Sequence, residues 1–188
     1  DSPWGHQVDL WRTYEKDAPQ TSDVAIQLPT GSGKTLVGLV LAEWRRRKFG
    51  ERIVYLCPTR QLANQVANQA KEHYGLEVAL LTGRKDDFDP KLSGDYLAAK
   101  RVAVSTYSAL FNVKPFFNDP QVIICDDAHA AEQYVSSHWS VEICMEDHPQ
   151  LLACLAGILN NYLEPQAQAR RTGEANSDID LSWCDKLP

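Results

Sequence analysis

The sequence predicts a three-layer α/β domain with a mostly parallel central sheet. Three observations carry that prediction. Apolar, β-branched runs of strand length alternate with longer stretches of helical periodicity along most of the chain. Residues 28–35 read Leu-Pro-Thr-Gly-Ser-Gly-Lys-Thr, a glycine-rich turn placed between the first such run and a helix. Residues 122–129 read Val-Ile-Ile-Cys-Asp-Asp-Ala-His, a later run that closes on two carboxylates. Strand–helix alternation requires right-handed crossovers, and these cover both faces of a parallel sheet. Ligands of such sheets collect at the C-terminal ends of the strands, where both segments fall.

The elements follow in order. A helix is expected near 4–16, then strands near 23–28, 52–57, 77–82, 101–105 and 121–125. Helices are expected near 34–48, 60–74, 90–99, 106–112 and 128–135. Val24-Ala25-Ile26-Gln27-Leu28 reads as a short buried strand leading into the glycine-rich turn. The helix behind that turn ends in Arg45-Arg46-Arg47-Lys48 before Gly50. Cations suit the negative end of a helix dipole, and glycine stops a helix, so this basic run is read as structural. The 60–74 helix carries Leu62, Val66 and Ala70 on one stripe and ends at Gly75. Gln121 to Cys125 reads as a buried parallel strand. After about residue 136 the alternation fades. Residues 139–143 read as one more strand, at an edge. Residues 149–163 read as a helix with an apolar stripe of Leu151, Leu152, Leu155, Ile158, Leu159 and Tyr162, and 164–188 as a polar tail.

The bulk properties fit one sizeable domain. The chain has 188 residues, 44% hydrophobic and 23% charged, ordinary for a soluble globular protein. No apolar stretch reaches the roughly 20 residues of a membrane span, and no signal-peptide pattern opens the chain, so no membrane partner is expected. Five cysteines, at 57, 125, 144, 154 and 184, show no C-x-x-C spacing. Cys57 and Cys125 end core strands and are read as buried free thiols, which with the odd count suits a reducing cytoplasm. The net charge of −6 speaks against a nucleic-acid binder that uses its whole surface, but leaves room for a local basic groove. The chain opens on Asp1 rather than Met, so it is expected to be a piece of something longer.

The two motifs carry the chemistry. In the loop formed by Thr30, Gly31, Ser32 and Gly33, the missing glycine side chains let backbone N–H groups approach phosphate oxygens. The helix that begins near Lys34 points its positive end at the same oxygens. Lys34 can reach the β- and γ-phosphates, and the Thr35 hydroxyl can ligate Mg²⁺. Asp126 would hold Mg²⁺ through water, and Asp127 would orient or activate the attacking water. ATP hydrolysis with Mg²⁺ is therefore the leading expectation, with Lys34 and Asp127 as the catalytic pair. The strict phosphate-loop pattern has glycine at position 28, where this chain has Leu28.

The order of further segments resembles the N-terminal ATPase domain of superfamily 2 helicases and translocases, the DEAD/DEAH-box group. LPTGSGKT is similar to their motif I, within which Leu28 is tolerated. CPTRQLANQ at 57–65 is similar to motif Ia, and DDAH at 126–129 to motif II. LTGR at 81–84 and VSTYSAL at 104–110 resemble two further nucleic-acid-contacting segments. The resemblance covers roughly residues 4–135. It implies a three-layer RecA-like P-loop NTPase fold over 1–135, with 136–188 as a helical or irregular extension or the start of an insertion. It also implies ATP and Mg²⁺ as cofactors, DNA or RNA as partner, and a second RecA-like domain of the full-length chain, absent from these residues. Gln7 resembles the glutamine that reads adenine in those proteins, and an amide can both donate and accept there. Thr59 and Arg60, and then Thr82, Gly83 and Thr106, take the nucleic-acid-contacting positions. His129 would couple the nucleotide site to the partner domain.

Two departures shape the expectation. The family usually has Glu where this chain has Asp127, one methylene shorter. No Ser-Ala-Thr segment and no arginine-bearing motif of a second domain follow motif II. The isolated chain is therefore expected to be half of a motor. The alternative is a nucleotide-binding scaffold or regulatory domain that does not hydrolyse, which the shortened Asp127 keeps open. A small-molecule P-loop kinase fits the ordered segments at 57–65, 81–84 and 104–110 poorly, and no arginine-rich lid segment is present.

Overall fold

The computed structural model describes residues 5–17, 21–29, 31–140, 143, 146–159 and 161–162. The chain divides into two units, 1–139 and 140–188. The first contains a sheet of four parallel strands, β1 Ile53–Cys57, β2 Val78–Leu80, β3 Val102–Thr106 and β4 Val122–Cys125, in the order β2-β3-β1-β4. The same unit contains α1 Gly5–Asp17, α2 Lys34–Phe49, α3 Arg60–Tyr74, α4 Pro90–Leu97, α5 Tyr107–Leu110 and α6 Ala128–Trp139. The second unit contains α7 Pro149–Leu159. Among the described residues no helix is long and apolar enough to cross a membrane.

The layers follow from strand periodicity. Every residue of β1 and β3, the two inner strands, is buried. Alternate residues face opposite sides of a sheet, so each strand supplies two cores. One core joins Ile53, Tyr55, Cys57, Val102 and Val104 to Leu39 and Ala42 of α2 and to Ala63, Val66 and Ala70 of α3. The other joins Val54, Leu56, Ala79, Leu81 and Ala103 to Tyr96 of α4, Tyr107 of α5, Phe117 and Ala131 of α6. This is the three-layer α/β arrangement that the alternation predicts.

The basic run at the end of α2 is structural. Arg45 holds Glu51 with two bonds of 2.7 and 2.6 Å and donates to the Tyr14 hydroxyl at 2.9 Å. Arg46 holds Glu43 with two bonds of 2.7 Å and donates to the Ala99 carbonyl at 2.9 Å. Arg47 meets Glu43 at 2.6 Å, and Lys48 meets Glu15 at 3.2 Å while lying over the Trp44 ring. Four adjacent cations are thus paired inside the domain, not offered to a polymer.

Several expectations are corrected. Residues 23–28 form no strand: Val24 is 44% and Ile26 41% exposed, and the segment enters no ladder among the described residues. Apolar alternation makes a strand only where a neighbouring backbone accepts the hydrogen bonds. β4 is consequently the edge of the described sheet, with Ile123 45% exposed. Cys125 is therefore exposed, not buried, whereas Cys57 on inner β1 is buried as expected. Trp139 closes α6 instead of opening a strand, and residues 141–142 lie outside the described residues. The 149–163 helix ends at Leu159, and the helix expected at 106–112 shortens to a single turn. Cys144, Cys184 and the polar tail at 164–188 lie outside the described residues.

A glycine sets the spacing between α2 and the sheet. A Cβ placed on Gly38 would lie 2.8 Å from Cε2 of Tyr55, a ring that is only 2% exposed. Replacing a helical glycine by alanine normally stabilises by about 1 kcal/mol. Forcing a methyl into a packed core costs about 1–3 kcal/mol. The second effect wins here, because the atom met is the rigid flank of a buried ring. Gly38→Ala is therefore expected to lower the melting temperature, measured by circular dichroism, and an unchanged or raised value would show that α2 can lift off the ring without cost.

Candidate active site at the strand C-terminal edge

Parallel registration gathers the site. Cys57 pairs with Thr106, Leu56 with Cys125, and Leu80 with Val104, so all four strands finish along one edge. The residues just past those ends are Thr59 and Arg60 after β1, Thr82 and Gly83 after β2, Thr106 closing β3, and Asp126 and Asp127 after β4. The glycine-rich loop adjoins this edge through Thr35 of α2, whose side chain lies near the Tyr55 hydroxyl of β1.

The loop is built from its backbone. Gly31 and Gly33 adopt φ of 80° and 79°, a left-handed conformation that other residues resist. The Ser32 hydroxyl donates to the Pro29 carbonyl at 2.6 Å, folding the turn on itself. Gln7 is 4% exposed, and its amide nitrogen donates to the Ser32 carbonyl at 2.7 Å. A Cβ on Gly33 would meet that nitrogen at 2.5 Å, so a larger residue there would push the Gln7 amide off the loop, while φ itself favours glycine. Gln7 therefore braces the phosphate loop directly, beside the adenine contact that the sequence suggests for it. Lys34 is exposed at the first position of α2, and Thr30 lies outside the described residues.

A tyrosine that sequence reasoning did not single out links the two motifs. The Tyr55 hydroxyl lies close enough to the Thr35 hydroxyl and to the Asp126 carboxylate to interact with both. Burial, reinforced by the charge of Asp126, pushes the Tyr55 phenol far above its ordinary value, so it stays a neutral donor. Burial also raises the Asp126 carboxyl, with Asp127 adding to the rise, while the Tyr55 bond and Lys34 pull the other way. The neighbouring Cys57 thiol is pushed up to about 12, mainly by burial and then by Asp126, which makes it inert at neutral pH. The signal for Tyr55 was present in the sequence: a hydroxyl at the centre of a buried strand must find a partner.

Asp127 is exposed and carries φ of 63°, left-handed for a residue that is not glycine. Its carboxylate accepts from the Ala130 N–H at 3.4 Å, a long contact at the start of α6. Thr35 and Asp126 converge on one hydroxyl and offer hard oxygen ligands. Mg²⁺ takes one or two protein carboxylates and fills its shell with phosphate and water, so these two residues fit it. Among the described residues no three His, Cys, Asp or Glu side chains group as a metal site.

The polymer-facing candidates share the edge but differ in readiness. The Thr59 hydroxyl accepts from the Leu62 N–H at 3.2 Å and so caps α3. Arg60 is exposed and forms no ion pair among the described residues. Thr82 is half-buried, and Gly83 turns the chain with φ of 100°. Thr106 is 5% exposed, and its hydroxyl lies 2.9 Å from that of Ser108. His129 is exposed on the first turn of α6.

A parallel α/β sheet with a glycine-rich loop joined through Tyr55 to a carboxylate after a neighbouring strand defines a nucleotide-binding domain of the P-loop class. The DEAD/DEAH box helicase family model matches residues 7–156, and the chain belongs to that family. The chain is 35% identical over 107 residues to the ATP-dependent DNA helicase Hel308 of Pyrococcus horikoshii, covering 55% of this chain and 15% of that protein. It is 45% identical over 75 residues to the ATP-dependent RNA helicase SrmB of Haemophilus influenzae, covering 35% of this chain and 17% of that protein. It is 25% identical over 131 residues to a putative helicase of a Sulfolobus islandicus filamentous virus, covering 66% of this chain and 23% of that protein. The chain thus spans less than a quarter of the length of these relatives.

The half-buried Asp126 charge has a stability consequence. A carboxyl whose folded pKa is raised favours the fold below its unfolded pKa and opposes it as pH rises through the folded value. At neutral pH without nucleotide, Asp126→Asn is therefore expected to raise the melting temperature. The gain should shrink as pH falls and the wild-type carboxyl takes up its proton. Thermal melts across that pH range check this, and a destabilised Asn variant at neutral pH would contradict the assignment of a partly desolvated charge.

Proposed function

We propose that this chain is the first ATPase domain of a nucleic-acid-dependent motor that hydrolyses ATP to ADP and phosphate. The observation that carries the proposal is the placement of the Tyr55 hydroxyl where it interacts with both the Thr35 and the Asp126 side chains. It holds the phosphate loop and the acidic motif in one site, whereas an unrelated glycine turn and acidic turn would have no reason to meet. Family membership and helicase relatives that act on DNA or on RNA support the polymer partner.

In this reading the loop N–H groups at Gly31 to Lys34 and the N-terminus of α2 receive the triphosphate, and Gln7 keeps the loop in shape from behind. Thr35 and Asp126 would hold Mg²⁺, which supplies charge neutralisation at the phosphates when bound. Asp127 orients the water that attacks the γ-phosphorus. The bond to the β–γ bridging oxygen breaks, ADP leaves with the electron pair, and the proton of the water passes to Asp127 or to the released phosphate. Lys34 balances charge that grows on the leaving oxygens. A transition-state arginine from a second RecA-like domain would complete the site. Such a group contributes roughly 10³–10⁵ in rate. Arg60, with the loops after β2 and β3, would take polymer phosphates, and His129 would face the partner domain.

One observation favours the second reading, a nucleotide-binding scaffold that does not hydrolyse. The Asp127 carboxylate is short and already touches the start of α6. ATPase assays of the full-length protein with and without single-stranded DNA and RNA separate the two. The motor reading expects stimulated turnover, its near-complete loss in Lys34→Ala, and nucleotide binding without hydrolysis in Asp127→Asn. It further expects the 188 residues alone to hydrolyse ATP barely, with polymer binding that weakens steeply with salt. Mg²⁺-ATP binding with no polymer-stimulated turnover in the full-length protein would establish the scaffold. Fast, polymer-independent hydrolysis by the isolated chain would instead point to a self-sufficient enzyme.

A further inference from the structure

Asp127 is one of two non-glycine residues with positive φ among those described, the other being Ala99. A left-handed residue at a candidate catalytic position persists only where its surroundings over-determine it. Here the determinant is Tyr107. This tyrosine is 1% exposed, and its hydroxyl donates to the backbone carbonyls of both Asp126 and Asp127, the latter at 2.9 Å. A phenol has one hydrogen, so the two carbonyls share it. Burial pushes the phenol well above its ordinary value, so the donor stays protonated. The ring also packs against Tyr134 of α6, with centroids 6.1 Å apart, so one side chain grips the acidic turn and the helix that follows it.

The other end of Tyr107 sits at the opposite function. It directly follows Thr106, and it opens α5, whose first turn carries Ser108 with its hydroxyl 2.9 Å from that of Thr106. That turn lies in the segment assigned above to polymer phosphates. The path from a polymer contact to the Asp127 backbone is therefore one residue and one rigid aromatic ring.

We propose that Tyr107 is a positioning residue that couples nucleic-acid binding at the end of β3 to the water-orienting carboxylate of Asp127. A polymer that fixes the Thr106–Ser108 turn fixes the Tyr107 hydroxyl, which holds Asp127 in its left-handed pose and aims its carboxylate. Without the polymer the turn relaxes and the pose is lost part of the time. The two-state element is the Asp127 backbone, whose left-handed form is intrinsically disfavoured. This inference rests on the motor reading above.

The test compares wild type, Tyr107→Phe and a protein with 3-fluorotyrosine incorporated at 107, all full-length. Measured are kcat and KM for ATP with and without single-stranded oligonucleotide, oligonucleotide Kd and melting temperature. Tyr107→Phe should leave KM and Kd within twofold of wild type and lower polymer-stimulated kcat by about five- to tenfold, the scale of one or two lost hydrogen bonds. A merely structural role would move the melting temperature and KM along with kcat. Fluorotyrosine keeps the hydroxyl and should restore stimulation, even if Tyr107→Phe proves poorly folded. Stimulation in Tyr107→Phe equal to wild type, or fluorotyrosine as impaired as phenylalanine, would overturn the coupling while leaving the motor reading intact. A wild type that shows no stimulation would overturn both.

Discussion

All four strands run the same way, and the site depends on that constraint. In a parallel sheet every strand ends on one edge, so four loops that are distant in sequence open side by side. The order β2-β3-β1-β4 then divides the edge. The acidic pair follows outer β4, next to β1, whose Tyr55 reaches the phosphate loop. The candidate polymer contacts follow β1, β3 and β2. On the motor reading proposed above, nucleotide chemistry at one end and polymer contacts along the rest need no special device beyond topology. A single antiparallel strand in the middle would put one of these loops on the far side of the molecule.

Two buried tyrosines hold the acidic turn from the two cores of the sheet. Tyr55 belongs to the core under α2 and α3 and lies beside the Asp126 side chain. Tyr107 belongs to the opposite core and bonds the Asp126 and Asp127 backbone. The division is physically sensible. A carboxylate brought in from water loses hydration and needs a donor nearby, whereas a left-handed backbone needs its carbonyls restrained. Gly38 makes the first contact possible by letting α2 close on the Tyr55 ring. The charges elsewhere on the domain are spent differently: the four cations at the end of α2 pair with Glu43, Glu51 and Glu15, whereas Lys34 and Arg60 stay exposed beside the motif edge.

The parts of this arrangement that were legible in the sequence are those set by local rules. The glycine-stopped helices α2 and α3 and the buried runs of β1 and β3 each carry a local signature of period, cap or dipole. What was not legible depends on partners distant in the chain. Residues 23–28 have strand composition but no ladder among the described residues, and that left Ile123 and Cys125 at an edge instead of in a core. The grip of Gln7 on Ser32, the reach of Tyr55 and the left-handed turn at Asp127 are likewise tertiary facts. Residue type alone hinted at them only as polar tips in apolar runs.

The central claim is that both ligands act on one strand edge and meet at the acidic turn. Hydrogen exchange of the full-length protein, followed by mass spectrometry with Mg²⁺-nucleotide, with oligonucleotide and with both, tests it most directly. The account predicts that nucleotide protects peptides spanning 31–35 and 122–130, and that oligonucleotide protects those spanning 59–62, 82–84 and 104–110. It further predicts that oligonucleotide alone slows exchange across 126–130. Protection by oligonucleotide confined to the opposite ends of the strands, or nucleotide protection that leaves 122–130 unchanged, would contradict it.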